Sequence, residues 1–464
     1  MLSNSFSFAQ SDTVPAPAGS YLKYYRTPLD YGSSCTDVTI SAAIQDVTYS
    51  GAHDVFIPPG ICSLSNPIAP SRNHYRLFGV PGESILQSAT PLPFMLHSYD
   101  QNVALEDLVF DANNNVSGAA LMLETGTTFS IRNVVVKNGP VFAKGIMVYN
   151  SSGTVRDSEV SGFGYQVYVD STTQVFLTNN YVHDNIAPSG GLGGNGIFVT
   201  HSSVADSPTV VSGNVLLNQN STTPKGGGNS GIDGNGIGIY QANGVVVQGN
   251  RITNPAYSCI RSNSANNVII DGNQCINAGE SGGISEFTAV NNLWSNNSFQ
   301  NAGESCLVLT NINDNGKGHI ATGNQISGCG GNGIYAEALG VISGNMIQNA
   351  SPGITAGVSW PGSGMLVVKG NNVTFSSTGG TGINLPTGPG NVLVEGNLIT
   401  NAAQPITAVP PGVQIFNQTL PYANLGSANN GSFVYCQDCR IQPTCAGGGS
   451  GAFAKRLAGS WQCQ

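Results

Sequence analysis

The sequence predicts an all-β chain wound into a right-handed parallel β-helix, and three observations carry that expectation. Charge is scarce: Asp, Glu, Lys and Arg make up 9% of 464 residues, against roughly a quarter in an ordinary globular domain. Glycine is abundant, at 61 residues, and β-branched residues crowd into short runs. One phrase also keeps returning from about residue 174: a β-branched run, Gly-Asn, an apolar-polar-Asn triplet, then Gly-Ile.

That phrase reads VVVQGNRITN at 245–254, VIIDGNQCIN at 268–277, VISGNMIQN at 341–349 and VLVEGNLITN at 392–401. The asparagine of that phrase falls at Asn214, Asn250, Asn273, Asn297, Asn324, Asn345, Asn371 and Asn397, 36, 23, 24, 27, 21, 26 and 26 residues apart. Within each short run apolar and polar residues alternate, as in a strand with one buried face. The intervals leave no room for a crossover helix, so the strands must stack directly as successive turns. Turns about 4.8 Å apart bring each asparagine within reach of the next, and a ladder of side-chain amides follows. A chain of this length escapes division into compact domains because each repeat packs only on its neighbours.

Three regions are expected. Residues 1–34 form an arm, with Tyr21, Tyr24, Tyr25 and Tyr31 close together. Residues 35–420 form the solenoid, opened by a short capping helix at SAAIQDV (41–47). Residues 421–464 form a small module containing Cys436, Cys439, Cys445 and Cys463. Its C-x2-C-x5-C-x17-C spacing suits two disulfides or a zinc ion; a single C-x2-C knuckle favours the disulfides. Cys259, Cys275, Cys306 and Cys329, inside the repeats, read as small core residues.

The net charge of −9, with only 16 Lys and Arg, argues against nucleic acid as a partner. No apolar run approaches the about 20 residues that cross a bilayer. The expected setting is extracellular, secreted or borne on a virion.

The lead-in, AAIQDV at 42–47, VFIPPGICSLSNPI at 55–68 and RLFGVPGESIL at 76–86, resembles the pectate-lyase-like superfamily, which includes phage tailspikes and secreted polysaccharide-degrading enzymes. The resemblance spans the lead-in and the repeats and implies the β-helix fold, a polysaccharide partner and a homotrimer of tailspike type. The pectate lyase and polygalacturonase signatures (Asn-Thr-Asp, Asp-Asp, Gly-His-Gly, Arg-Ile-Lys) are absent.

Two long insertions, 184–194 and 218–234, precede Gly-Ile strands and would wall a groove. Aligning those strands gives one outward column of Met147, Tyr168, Phe198, Gly238, Arg261, Ser285, Val308 and Tyr335. A second holds Tyr149, Asp170, Thr200, Tyr240, Asn263, Phe287, Thr310 and Glu337, with His201 at its edge. Rings to stack on sugar faces and polar groups to fix hydroxyls make this a candidate glycan floor; cross-strand packing against a second subunit would use the same rings.

Asp233 and Glu280 stand four residues ahead of their strand's Ile, with Glu304 offset by one. At about 4.8 Å per turn, Asp233 and Glu280 would be roughly 10 Å apart and Glu280 and Glu304 about 5 Å. Glycosidases space their carboxyls at about 6.5–9.5 Å for inversion and about 5–5.5 Å for retention. Glu286 and Arg261 are the reserve candidates, and Arg261 would also serve a lyase. The expected function is polysaccharide binding with hydrolase or lyase activity; the alternative is a non-catalytic adhesive or structural β-helix. No cofactor is expected, with Ca²⁺ entering only in the lyase case.

Overall fold

The computed structural model describes residues 25–46, 54–99, 101–171, 174–186, 194–201, 208–220, 234–310, 318–357, 364–386, 391–407 and 409–464. Short strands, mostly three to five residues long, coil into three sheets of 18, 14 and 13 strands, parallel except for the last two strands of the first. One turn runs through Val210–Ser212 in the first sheet, Val215–Leu217 in the second and Ile237–Tyr240 in the third. Each strand pairs in parallel with its counterpart one turn away, as Val210 does with Val246 and Val215 with Arg251. Period-2 alternation sends Val211, Leu216, Ile237 and Ile239 inward, all essentially buried. The core is thus one apolar column along the whole axis.

The Gly-Asn corner joins the first sheet to the second. Gly213, Gly249 and Gly272 there have φ of +62 to +64°, which a residue without Cβ adopts freely. Asn179 and Asn296 take the same place at φ +57° and +54°, so the corner also occurs without its glycine. The following asparagine is buried and laddered: Asn297 donates through its backbone N and Nδ2 to Asn324 Oδ1, both at 3.0 Å. Its own Oδ1 accepts the same pair from Asn273. The ladder reaches from Asn397 back to Asn180 and then ends on Ser158.

The capping helix spans Asp37–Gln45, starting four residues ahead of the expected segment. Thr36 caps it, accepting from Thr39 N, and Ile40, Ala43 and Ile44 seal the first turn. Cys35–Cys62 ties the helix to the solenoid. Most of the arm lies outside the described residues; within them, Tyr25 packs on Phe56 and Phe78 of its own chain.

The inner cysteines are a correction: they are not free core residues. Cys259 pairs with Cys275 and Cys306 with Cys329. Cys259 and Cys306 stand just ahead of third-sheet strands, and winding once around the axis brings each beside the second-sheet side of the next turn. At the C-terminus, Phe433–Cys436 extends the first sheet, and Ala452–Leu457 and Ser460–Cys463 continue it antiparallel. Cys436–Cys439 and Cys445–Cys463 bind this module together. No described helix is long and apolar enough to cross a membrane.

Two stability predictions follow from this packing. Asn297→Ala strips buried groups of their partners on both neighbouring turns and should cost roughly 3–5 kcal/mol by urea denaturation. Asn301→Gly, in the exposed amide row where Gly328 already stands, should stay within about 0.5 kcal/mol. Equal costs would show that the inner ladder is not what holds the turns.

His319 is fully buried and faces the backbone N–H of Asn292. Burial pushes its pKa from 6.5 down to about 4. The folded chain therefore keeps the ring neutral where the unfolded chain protonates it. The corresponding stability is complete above pH 6.5 and is lost as pH falls toward 4, a loss of about 3 kcal/mol. Urea midpoints of wild type and His319→Asn across that window should converge as the pH is lowered; parallel curves would remove His319 as the cause.

Candidate functional site

The outward face of the third sheet carries the aligned candidates, and its register differs from the expected one in one turn. Ile237 pairs with Ile260, Ile260 with Gly283 and Gly283 with Leu307. Gly283, not Ile284, therefore occupies the inward position. A Cβ on Gly283 would lie 2.3 Å from the Trp294 ring: the buried indole of the first sheet fills the space that isoleucine fills elsewhere. The turn shifts by one residue as a result. Ser285 points inward and accepts from Trp294 Nε1 at 2.9 Å. Ile284 takes its place in the first column, and Glu286 replaces Phe287 in the second. Phe287 sits past the strand end at φ +57°.

The corrected register aligns Glu280 with Glu304. Their backbones are consecutive rungs, Glu280 N donating to Tyr257 O and Glu304 N to Glu280 O. The one-residue offset between them disappears. Asp233 lies outside the described residues, as does most of both insertions.

At the N-terminal end of the floor the rings gather. Tyr168 and Phe198 have centroids 5.5 Å apart, with Tyr165 within 5.6 Å of both. Lys144 Nζ lies 5.5 Å from the Tyr168 ring centre, and burial lowers its pKa. Burial, with Asp170 nearby, raises the Tyr168 phenol to about 12.

One turn on, His201 bridges three turns. Its Nδ1 lies 3.2 Å from Asp170 Oδ1, and its Nε2 lies 3.1 Å from Gln241 Oε1. The Tyr240 ring meets the imidazole edge-on at 6.2 Å. Asn263 follows Tyr240 in the second column.

Arg261 and Glu286, from adjacent strands, form an ion pair through Arg261 Nε and Nη2 to Glu286 Oε1. They are only 8% and 9% exposed, although both stand on an outward face. Burial raises the Glu286 carboxyl above the ordinary range while Arg261 opposes it. Two turns further, the Tyr335 hydroxyl donates to Glu337, and burial with that bond raises Tyr335 to about 12.

The structure thus brings together Tyr168 with Phe198, Asp170 with His201 and Tyr240, and Arg261 with Glu286. Lys144, Tyr165 and Gln241 were missed by the strand alignment. Lys144 and Tyr165 precede the aligned core of their strands, and Gln241 follows one. Among the described residues, two groups of three could gather around a metal, Cys439/Cys445/Cys463 and Cys436/Asp438/Cys439. Their sulfurs are already spent in disulfides.

With three stacked sheets, an asparagine ladder and a capped end, the chain is a parallel β-helix. The family model described as NosD, periplasmic copper-binding protein, matches residues 220–431. A search of curated protein sequences found no match. Among solved structures, the chain is similar to the catalytic unit of a thermostable GH87 α-1,3-glucanase from Streptomyces thermodiastaticus, with TM-score 0.56 and 15% identity over 78% of this chain and 70% of that one. The Dettilon tailspike protein gives 0.47 and 14%, over 82% and 69%. A PL6 family polysaccharide lyase from Pseudopedobacter saltans gives 0.42 and 13%, over 76% and 84%.

The register shift generates its own test. Gly283→Ala should lose about 1–3 kcal/mol by overpacking against Trp294, and Trp294→Leu in the same chain should restore part of it. Additive losses in the double variant would mean the two do not share that space.

Proposed function

We propose that this protein binds an extended polysaccharide along the outward face of the third sheet and cleaves it there. One observation carries the reading: aromatic and ionisable side chains from successive turns stand in register on that face, in two columns. A flat ring such as Tyr168, Phe198 or Tyr240 offers its face to the C–H side of a sugar. Asp170, His201, Gln241 and Asn263 offer donors and acceptors to the hydroxyls. The α-1,3-glucanase shares the fold, which supports the reading without fixing the substrate.

Glu286 is the carboxyl best suited to general acid catalysis, because burial holds its pKa up. Arg261 opposes that shift and keeps the side chain oriented. Glu280 and Glu304, on consecutive rungs, supply further carboxylates at the same end of the face, and Asp233 remains a candidate from its place in the sequence. Five disulfides favour an oxidising, extracellular setting. Copper, named in the matched family's description, finds no gathered donor set among the described residues of the matched stretch, and no step is drawn through it.

A panel of glycans assayed for reducing ends and for 235-nm absorbance tests the proposal. Cleavage of one or more members is expected, and Glu286→Gln should lower kcat by about 10² to 10⁴ while glycan affinity persists. Wild-type activity in Glu286→Gln would move the chemistry to Glu280 and Glu304. Binding with no cleavage anywhere in the panel would leave an adhesive β-helix.

A further inference from the structure

We infer that the groove is built for a neutral glycan and not for a polyuronate. The inference rests on the reading of this face as a glycan site and names the substrate class within it. Its basis is how the positive charges on the face are engaged.

A uronate polymer brings one carboxylate per sugar, and each must find a cation or repel its surroundings. Among the described residues, the outward face of the third sheet offers His97, Lys144, His201 and Arg261. His97 Nε2 lies 2.9 Å from Glu124, and His201 Nδ1 lies 3.2 Å from Asp170. Arg261 is held by Glu286, both nearly buried. Drawing Arg261 off to a ligand would strand the Glu286 charge in a poorly solvated place, which is strongly unfavourable. Lys144 lies over the Tyr168 ring, and its burial disfavours the charged form.

The carboxylates are the more numerous side. Glu124, Asp170 and Glu286 share one column, with Glu337 two turns beyond Glu286. Glu280 and Glu304 stand at the corner leading into it, Glu304 exposed. Turns are only about 4.8 Å apart, so a chain lying along the axis passes each of these carboxylates in succession. A low-dielectric floor strengthens that repulsion.

A neutral glycan faces none of it. Its hydroxyls donate to the same carboxylates and exchange bonds with Gln241 and Asn263, while its rings lie against Tyr168, Phe198 and Tyr240.

The choice of substrate also fixes the reaction. β-Elimination removes a proton made acidic by the neighbouring uronate carboxylate, and a neutral sugar has no such proton. Cleavage would be hydrolysis: the glycosidic C–O bond breaks, water's hydroxyl joins the anomeric carbon and a proton goes to the leaving oxygen.

The test is titration of the intact protein with gluco-oligosaccharides of several linkages and with oligouronates of matched length, at low and high NaCl. At least one neutral series should bind. Oligouronates should bind about tenfold more weakly at low salt, and the gap should narrow as salt screens the face. An oligouronate that binds tighter than every neutral ligand, and loosens as salt is added, would overturn the inference while leaving the groove a glycan site. No binding of either class would instead remove the underlying reading, and the inference with it.

Discussion

From Asn180 to Asn397 each turn has to land in register with the one before it, because every buried ladder asparagine finds its partners on the neighbouring turns. Asn297 both receives and gives a two-donor contact, and the pattern repeats from Asn180 to Asn397. A slip of one residue would leave several buried polar groups unpaired at once, each costing about 1–3 kcal/mol. The apolar alternation is weaker as a guide, since any β-branched residue can face any other. The ladder therefore sets the pitch, and the columns of the outward face inherit their alignment from it.

Nearly all of that frame was legible in the chain. Repeating Gly-Asn phrases named the corner, alternation named the buried face, and the charge deficit excluded ordinary globular classes. What escaped was local and had a physical cause each time. Asn180 was overlooked because Asn179 adopts the left-handed corner that glycine takes elsewhere. The inner cysteines looked like isolated core residues because the bonds join positions 16 and 23 residues apart, a proximity that exists only once the chain has wound around the axis.

The two outward columns were legible in outline and wrong in one turn. Reading GGISEF by its isoleucine put Ser285 and Phe287 outward. The true inward residue is Gly283, whose missing side chain is made up by Trp294 from another sheet. No strand-by-strand alignment contains that exchange of volume, since the compensating residue lies eleven positions away in a different sheet. Its effect on the site is large: it places Glu286 beside Arg261 and brings Glu280 level with Glu304. Asp233 shows the opposite case, a residue whose sequence position is suggestive and whose surroundings lie outside the described residues.

The spacing of the ladder asparagines has a consequence for how such a molecule diversifies. Neighbouring rungs are separated by as few as 21 and as many as 36 residues, yet the contacts at Asn214–Asn250 and Asn324–Asn345 are the same within 0.1 Å. The longest interval falls between the strands Val215–Leu217 and Ile237–Tyr240, and closing a longer connection costs only slowly more as it grows. The frame acts as a ruler that is blind to what hangs from it. Selection can then rewrite the rim of the groove freely, while any change in the length of the groove must come in whole turns.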